Sequence, residues 1–299
     1  LPSMTLSLFN ILLKNRPKVC HFNFPPLLLT PLLLLMKILK TRIIYSFHGG
    51  ILFENKSAWA KTLFLIQCKH FYDVIVANSK YSAQFLLSAE NSLEKKLVII
   101  PNGIKVYERV NSTTKSTIKG YPAVLYVGRI DYIKGVDLLV KAVALVKRRC
   151  PRICLHIVGS GPKLREIREL ISSLKLEESI VTHGFIAGDM KDRLYLACDI
   201  VVVPSRNETF GITVLEAMRA GKPLIVSNRG ALPELVKHNI NGLVVELKPQ
   251  SFAAAILKLV RNKTLMTSIS QANQKTAMLY DWKRISKKYL HLYMTLANK

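Results

Sequence analysis

Short runs of apolar and β-branched residues alternate with amphipathic stretches along nearly the whole chain, and this limits the fold more than any other feature. Strands are predicted at Val19–Phe22, Ile43–Phe47, Val74–Ala77 and Leu97–Ile100, with helices between them. The pattern resumes with strands at Val124–Val127, Ile153–Val158, Ile180–Phe185, Ile200–Val203 and Leu224–Ser227, and a shorter one near Leu243–Val245. Helices are predicted over Val136–Arg149, Pro162–Leu174 and Met190–Cys198, followed by amphipathic Phe252–Arg261 and a last helix over Asp281–Leu296. Such alternation is the mark of βαβ units on parallel sheets. The polar, aperiodic stretch Glu108–Gly120 reads as a linker between two α/β domains. A chain of 299 residues is long enough to give each a core.

Ligands of open parallel sheets gather at the carboxyl ends of strands. The turns there are His48-Gly49-Gly50, Asn78-Ser79-Lys80 and Pro101-Asn102-Gly103 in the first domain. In the second, Val201–Pro223 (VVVPSRNETFGITVLEAMRAGKP) stands out. A buried strand breaks at Pro204, and a helix is expected to open near Thr209–Gly211 and close at Gly221-Lys222-Pro223. Its N-terminus offers unpaired N–H groups and a partial positive charge to an anion such as a phosphate. Glu208 and Glu216 would bracket the start and middle of this helix, roughly 12 Å apart at helical rise. Solvated or helix-end carboxylates are the plainer reading of the two, but the apolar neighbours Val214, Leu215, Ala217 and Met218 argue against a fully wet Glu216.

The ETFGITVLEAMRAGKP segment resembles the signature of glycosyltransferase family 4, the retaining enzymes of GT-B fold. PNG at Pro101–Gly103, YVGRIDYIKGVD at Tyr126–Asp137, IVGSGP at Ile157–Pro162 and DWKRISKKYL at Asp281–Leu290 agree with it in order. The resemblance implies two Rossmann-like domains facing a central cleft: residues 1–107 on the acceptor side, a linker over 108–120, a nucleotide-sugar domain over 121–280, and a helix over 281–299 returning to the first domain. It further implies that the opening strands of the first domain, with their glycine-rich turn, are absent from this sequence.

By the same resemblance, Gly128, Arg129 and Lys134 contact the donor diphosphate, Glu216 takes the ribose hydroxyls and Glu208 lies near the donor hexose and its phosphates. A guanidinium fork and an ammonium suit charge developing on a leaving diphosphate. Thr209, Phe210 and Gly211 would supply backbone N–H groups, and Gly159 with Gly161 would line the base pocket. His48 would lie against the donor sugar. These imply a retaining hexosyl transfer from a UDP-, GDP- or ADP-sugar to an acceptor hydroxyl on a glycan, a lipid-linked or phospholipid carrier, or a small molecule. The competing expectations are a sugar-nucleotide epimerase on the same fold and a truncated, non-catalytic nucleotide-sugar-binding protein.

With 44 Lys+Arg against 19 Asp+Glu, the formal charge is +25. Residues 1–110 carry 14 basic and 5 acidic side chains and the remainder 30 and 14, so the excess is not a tail. It suits peripheral contact with an anionic membrane. A nucleic-acid partner is not expected, since no basic motif is interleaved with aromatics. The five cysteines show neither a disulfide framework nor zinc spacing, which fits a reducing, cytoplasmic setting at or near the inner membrane face. Leu27–Leu39, broken by Pro31 and Lys37, is too short to span a bilayer and reads as a helix packed on a sheet. No Asp-x-Asp, HExxH, Walker or GxSxG motif occurs; no cofactor or metal is expected, Arg129 and Lys134 taking the electrostatic role.

Overall fold

The computed structural model describes residues 2–49, 58–106 and 118–298. Gly50 and residues 108–117 of the expected linker lie outside them. The chain forms two compact units, Leu1–Asn102 with Lys283–Lys299, and Gly103–Trp282.

In the first unit, four parallel strands lie in the order β1 (Val19–Phe22), β2 (Arg42–Phe47), β3 (Val74–Ala77) and β4 (Leu97–Ile99). The two-residue period of β2 sends Ile43, Tyr45 and Phe47 to one face, where helices α1 (Pro2–Asn15), α2 (Thr30–Ile38), α3 (Ala58–His70) and α4 (Lys80–Ala89) supply Leu12, Leu33, Phe64 and Leu86. Tyr45 stacks on Tyr72 at 5.0 Å. Ile44 and Val76 point the other way and pack with Ile285 and Leu296 of the C-terminal helix Trp282–Ala297.

Asp73, just before β3, ties this unit together. Its carboxylate accepts the Ile43 N–H at 2.8 Å, Lys37 Nζ at 2.8 Å and Arg42 Nη1 at 3.2 Å. Burial alone would raise this carboxyl, but the Lys37 and Ile43 hydrogen bonds outweigh it and hold it below its usual value. A depressed folded pKa contributes stability above the unfolded value and loses it as pH falls through the folded one. Asp73→Asn is therefore expected to cost about 1–3 kcal/mol at neutral pH, and thermal melts should show the gap from the unaltered protein closing below about pH 4. A gap that stays constant down to pH 2.5 would mean the carboxylate's charge contributes nothing.

In the second unit six parallel strands follow the order β10-β9-β8-β5-β6-β7. They are β5 (Ala123–Val127), β6 (Cys154–Val158), β7 (Ile180–Gly184), β8 (Ile200–Val203), β9 (Leu224–Ser227) and β10 (Leu243–Val245). The connecting helices are α5 (Val136–Lys147), α6 (Leu164–Ser173), α7 (Gly188–Ala197), α8 (Ile212–Arg219), α9 (Leu232–Leu235), α10 (Pro249–Arg261) and α11 (Lys263–Met278). The chain builds outward from β5 to β7, then returns to pair β8 with the other side of β5. That reversal opens a crevice at the carboxyl ends of β5 and β8, the usual place for a ligand in such sheets.

Helix α11 was not foreseen from the sequence. Its apolar content is low, and Ile269, Asn273 and Ala277 form its buried stripe. Asn262 marks its start, accepting the Leu265 N–H at 2.8 Å, which is a readable capping signal. Ser270 and the Asn273 amide donate to the carbonyls of Gly221 and Lys222 at 2.6 and 2.7 Å, satisfying the end of α8. The stretch Leu27–Leu39 forms a short 3-10 turn and α2, and no helix among the described residues is long and apolar enough to cross a membrane.

Candidate functional site

A cavity of about 450 Å³ lies at the carboxyl ends of β5, β6 and β7, lined also by the first turns of α8. Its floor consists of two strand-to-helix turns stitched together. The Gly128 N–H donates to Val158 O at 3.0 Å, and Ile130 N–H to Ser160 O at 2.9 Å. Gly159, at φ +141°, sits so close that a Cβ there would collide with the Gly128 carbonyl oxygen. The glycine is needed for the two turns to touch. Gly161 instead backs onto the Ile130 carbonyl and does not line the cavity.

Arg129 lines the cavity with its side chain 65% exposed, so its guanidinium is open to a ligand. Its Nε donates to Asp131 Oδ2 at 2.6 Å, while Asp131 Oδ1 accepts the Lys134 N–H at 2.9 Å. Asp131 thus organises the loop bearing both cations. The Tyr126 hydroxyl, its phenol pushed well up by burial, donates to the Arg129 carbonyl at 2.8 Å.

The helix after β8 opens at Ile212, at the end of the expected Thr209–Gly211 stretch. Gly211 is its N-cap at φ +103°, a left-handed conformation that ends the preceding loop abruptly. Glu208 belongs to that loop and not to the helix, so the helical-rise spacing to Glu216 does not apply. The loop is fixed by the Ala231 N–H donating to Glu208 O at 2.7 Å, beneath Gly230, where a Cβ would meet the Glu208 backbone. Phe210 buries its ring in the core against Tyr280, leaving only its backbone for a ligand. Thr209 and Gly211 flank it, and Ile212 and Thr213 face the cavity.

Lys134 and Glu208, far apart in sequence, meet as an ion pair with Nζ–Oε2 2.7 Å. Their loops are locked by Arg206, which grips Asp137 through both nitrogens at 2.8 and 2.7 Å and lies 4.2 Å over the Tyr132 ring. Burial alone would raise the Asp137 carboxyl, but Arg206 holds it below its usual value. Neither Arg206 nor Asp137 was singled out from the sequence; a bidentate pair across 69 positions leaves no local pattern.

Glu216 lies on α8 with its side chain 15% exposed. Lys191 Nζ donates to its Oε1 at 2.6 Å, and Tyr195 Oη to its Oε2 at 3.0 Å. Lys191 and Tyr195 stand one turn apart on α7, facing the same way. Beside them, Asp192 pairs with Arg219 of α8. These residues were missed in the sequence, where Met190–Cys198 reads only as an amphipathic helix.

Of the sequence candidates, Gly128, Arg129, Gly159 and Glu216 line the cavity together. Lys134 and Glu208 pair with each other and are not among the residues lining it. His48 belongs to the first unit, exposed at the carboxyl end of β2 and followed by Gly49 at φ +128°.

The family model described as Glycosyl transferases group 1 matches residues 109–276, and that of Glycosyltransferase Family 4 matches residues 1–107. An uncharacterized glycosyltransferase of Methanocaldococcus jannaschii is 32% identical over 231 residues, covering 73% of this chain and 59% of that protein. A D-inositol 3-phosphate glycosyltransferase of Salinispora arenicola is 26% identical over 244 residues, 74% of this chain and 54% of its own length. The chain thus spans little more than half the length of these relatives. Among solved structures, Anabaena HepE in complex with UDP superposes with TM-score 0.84 at 22% identity, covering 98% of this chain and 82% of that one. Sucrose-phosphate synthase of Thermosynechococcus elongatus gives 0.82 at 23%, with 99% and 78% covered. These likenesses show the shared fold. With that fold, and with a family model over more than half its length, this chain belongs to the glycosyl transferases group 1, within the GT-B glycosyltransferases of family 4.

Proposed function

We propose that the protein transfers a hexose from a nucleoside-diphosphate sugar to an acceptor hydroxyl with retention of configuration. The supporting observation is that Gly128, Arg129, Gly159, Ile212, Thr213 and Glu216 surround one cavity at the strand-order reversal. Glu216 would accept the ribose hydroxyls. The diphosphate would lie over the Gly128 turn and the N-terminal turn of α8, whose first N–H groups have no partner within the helix. The bond between the anomeric carbon and the diphosphate oxygen breaks as the acceptor oxygen bonds to the same face. The acceptor's proton passes to the departing phosphate. Arg129 and Lys134 meet the charge that grows there, in the role a metal fills elsewhere.

The names of some relatives support this reading: a D-inositol 3-phosphate glycosyltransferase, and HepE structures with UDP and UDP-glucose. The acceptor is proposed to sit at an anionic membrane, on the strength of the +25 formal charge. Titration calorimetry with UDP, GDP and ADP tests the donor site. One diphosphate is expected to bind with Kd on the order of 1–100 µM, a substrate-like range. Silence from all three would remove the reading. Transfer of labelled sugar is expected to be unchanged in EDTA, and a tenfold loss would show that a divalent cation is needed. Release of a free epimer without transfer would favour an epimerase.

A further inference from the structure

We infer that Lys191 is a counter-cation that allows a carboxylate to stand inside a diphosphate site. The inference rests on the nucleotide reading above and concerns what the ion pair on the cavity wall does. Glu216 and a bound diphosphate are both anionic, and both would occupy one cavity of about 450 Å³. A sphere of that volume is about 10 Å across, no more than the Debye length at moderate salt. Repulsion between the two anions would therefore reach the ligand only partly screened. Neutralising the carboxylate by protonation would forfeit its capacity as a pure acceptor of ribose hydroxyl hydrogens. The wall solves this with Lys191, whose Nζ rests 2.6 Å from Glu216 Oε1.

Geometry separates the parts played by the two donors on α7. Tyr195 is fully buried and grips Oε2 from behind, fixing where the carboxylate points. Lys191 keeps 23% of its side chain exposed and lines the cavity itself. Its ammonium has three hydrogens, and Glu216 uses one. Two remain for the ligand side. A carboxylate also keeps acceptor capacity beyond these two bonds, enough for a vicinal diol. The Asp192–Arg219 pair anchors the same turn of α7 to α8, so the ammonium is held by the fold and not by Glu216 alone.

A purely positioning lysine and a neutralising one make different predictions along a ligand series. The test is Lys191→Gln in the full chain, titrated with whichever of UDP, GDP or ADP binds tightest, then with the matching monophosphate and nucleoside. Neutralisation predicts a loss that grows with phosphate charge, under about threefold for the nucleoside and roughly thirtyfold for the diphosphate. The diphosphate penalty should shrink as salt is raised, and Lys191→Arg should restore binding to within about threefold, since the charge returns. Equal losses for nucleoside and diphosphate would reduce Lys191 to a prop for Glu216 and overturn the inference while leaving the nucleotide site intact. Failure of the unaltered chain to bind any diphosphate would remove the site and the inference together.

Discussion

Glu216→Ala is expected to weaken nucleoside diphosphate binding about 100-fold. Two hydroxyl hydrogen bonds to a charged acceptor are lost, each worth about 1.5 kcal/mol, and each 1.4 kcal/mol is tenfold in affinity. The same change takes from the buried Tyr195 hydroxyl its 3.0 Å acceptor and leaves Lys191 without its anion. A destabilisation of about 1–3 kcal/mol should accompany it. Thermal melts must therefore be read beside calorimetry. Tyr195→Phe supplies the control, because it removes the buried donor and spares the carboxylate. If Glu216→Ala melts lower yet binds the diphosphate as before, the ribose assignment fails and Glu216 is a structural clamp between α7 and α8. Glu216→Gln should lie between the two, accepting through one oxygen while losing the charge that holds Lys191.

What sequence could reveal follows from whether the cause is local. Each strand of both sheets was legible because its apolar run is short and ends at a glycine, proline or polar turn, as at Val203-Pro204 and Val127-Gly128. Gly128, Arg129, Gly159 and Glu216 were legible because each sits in a run that resembles a known signature. The fixing of the loop ahead of α8 was not legible, because Gly230 packs against the Glu208 backbone from 22 residues away. Lys191 and Tyr195 were illegible for a related reason. On α7 they are an ordinary polar and aromatic pair, and only the pairing of β8 beside β5 carries Glu216 to them. Helix α11 escaped because its buried stripe contains an asparagine whose partner is the Lys222 carbonyl. In each miss the deciding contact joins residues distant in the chain.

Lys134→Ala is expected to lower kcat about 100- to 1,000-fold while raising the Kd for the bare diphosphate less than about tenfold. Removing one preorganised charge from a leaving group typically costs that much turnover. Ground-state binding suffers less because the demand for positive charge peaks as the bond to the sugar breaks. The structure adds a second contribution. Lys134 rests 2.7 Å from Glu208, whose side chain is only 12% exposed, so removing the cation leaves a poorly solvated anion beside the reacting diphosphate. Part of the lost rate would come from that stranded carboxylate and not from the missing ammonium. The two contributions separate in a double-mutant cycle. Glu208→Gln in the Lys134→Ala background should recover about tenfold of the loss, if the carboxylate repels the leaving group. If nothing is recovered, Glu208 acts on the sugar or only on Lys134, and the full deficit belongs to the ammonium. If kcat is unchanged and only the Kd rises, Lys134 binds ground state and transition state alike, and the leaving-group role passes to Arg129, which keeps its own anchor on Asp131.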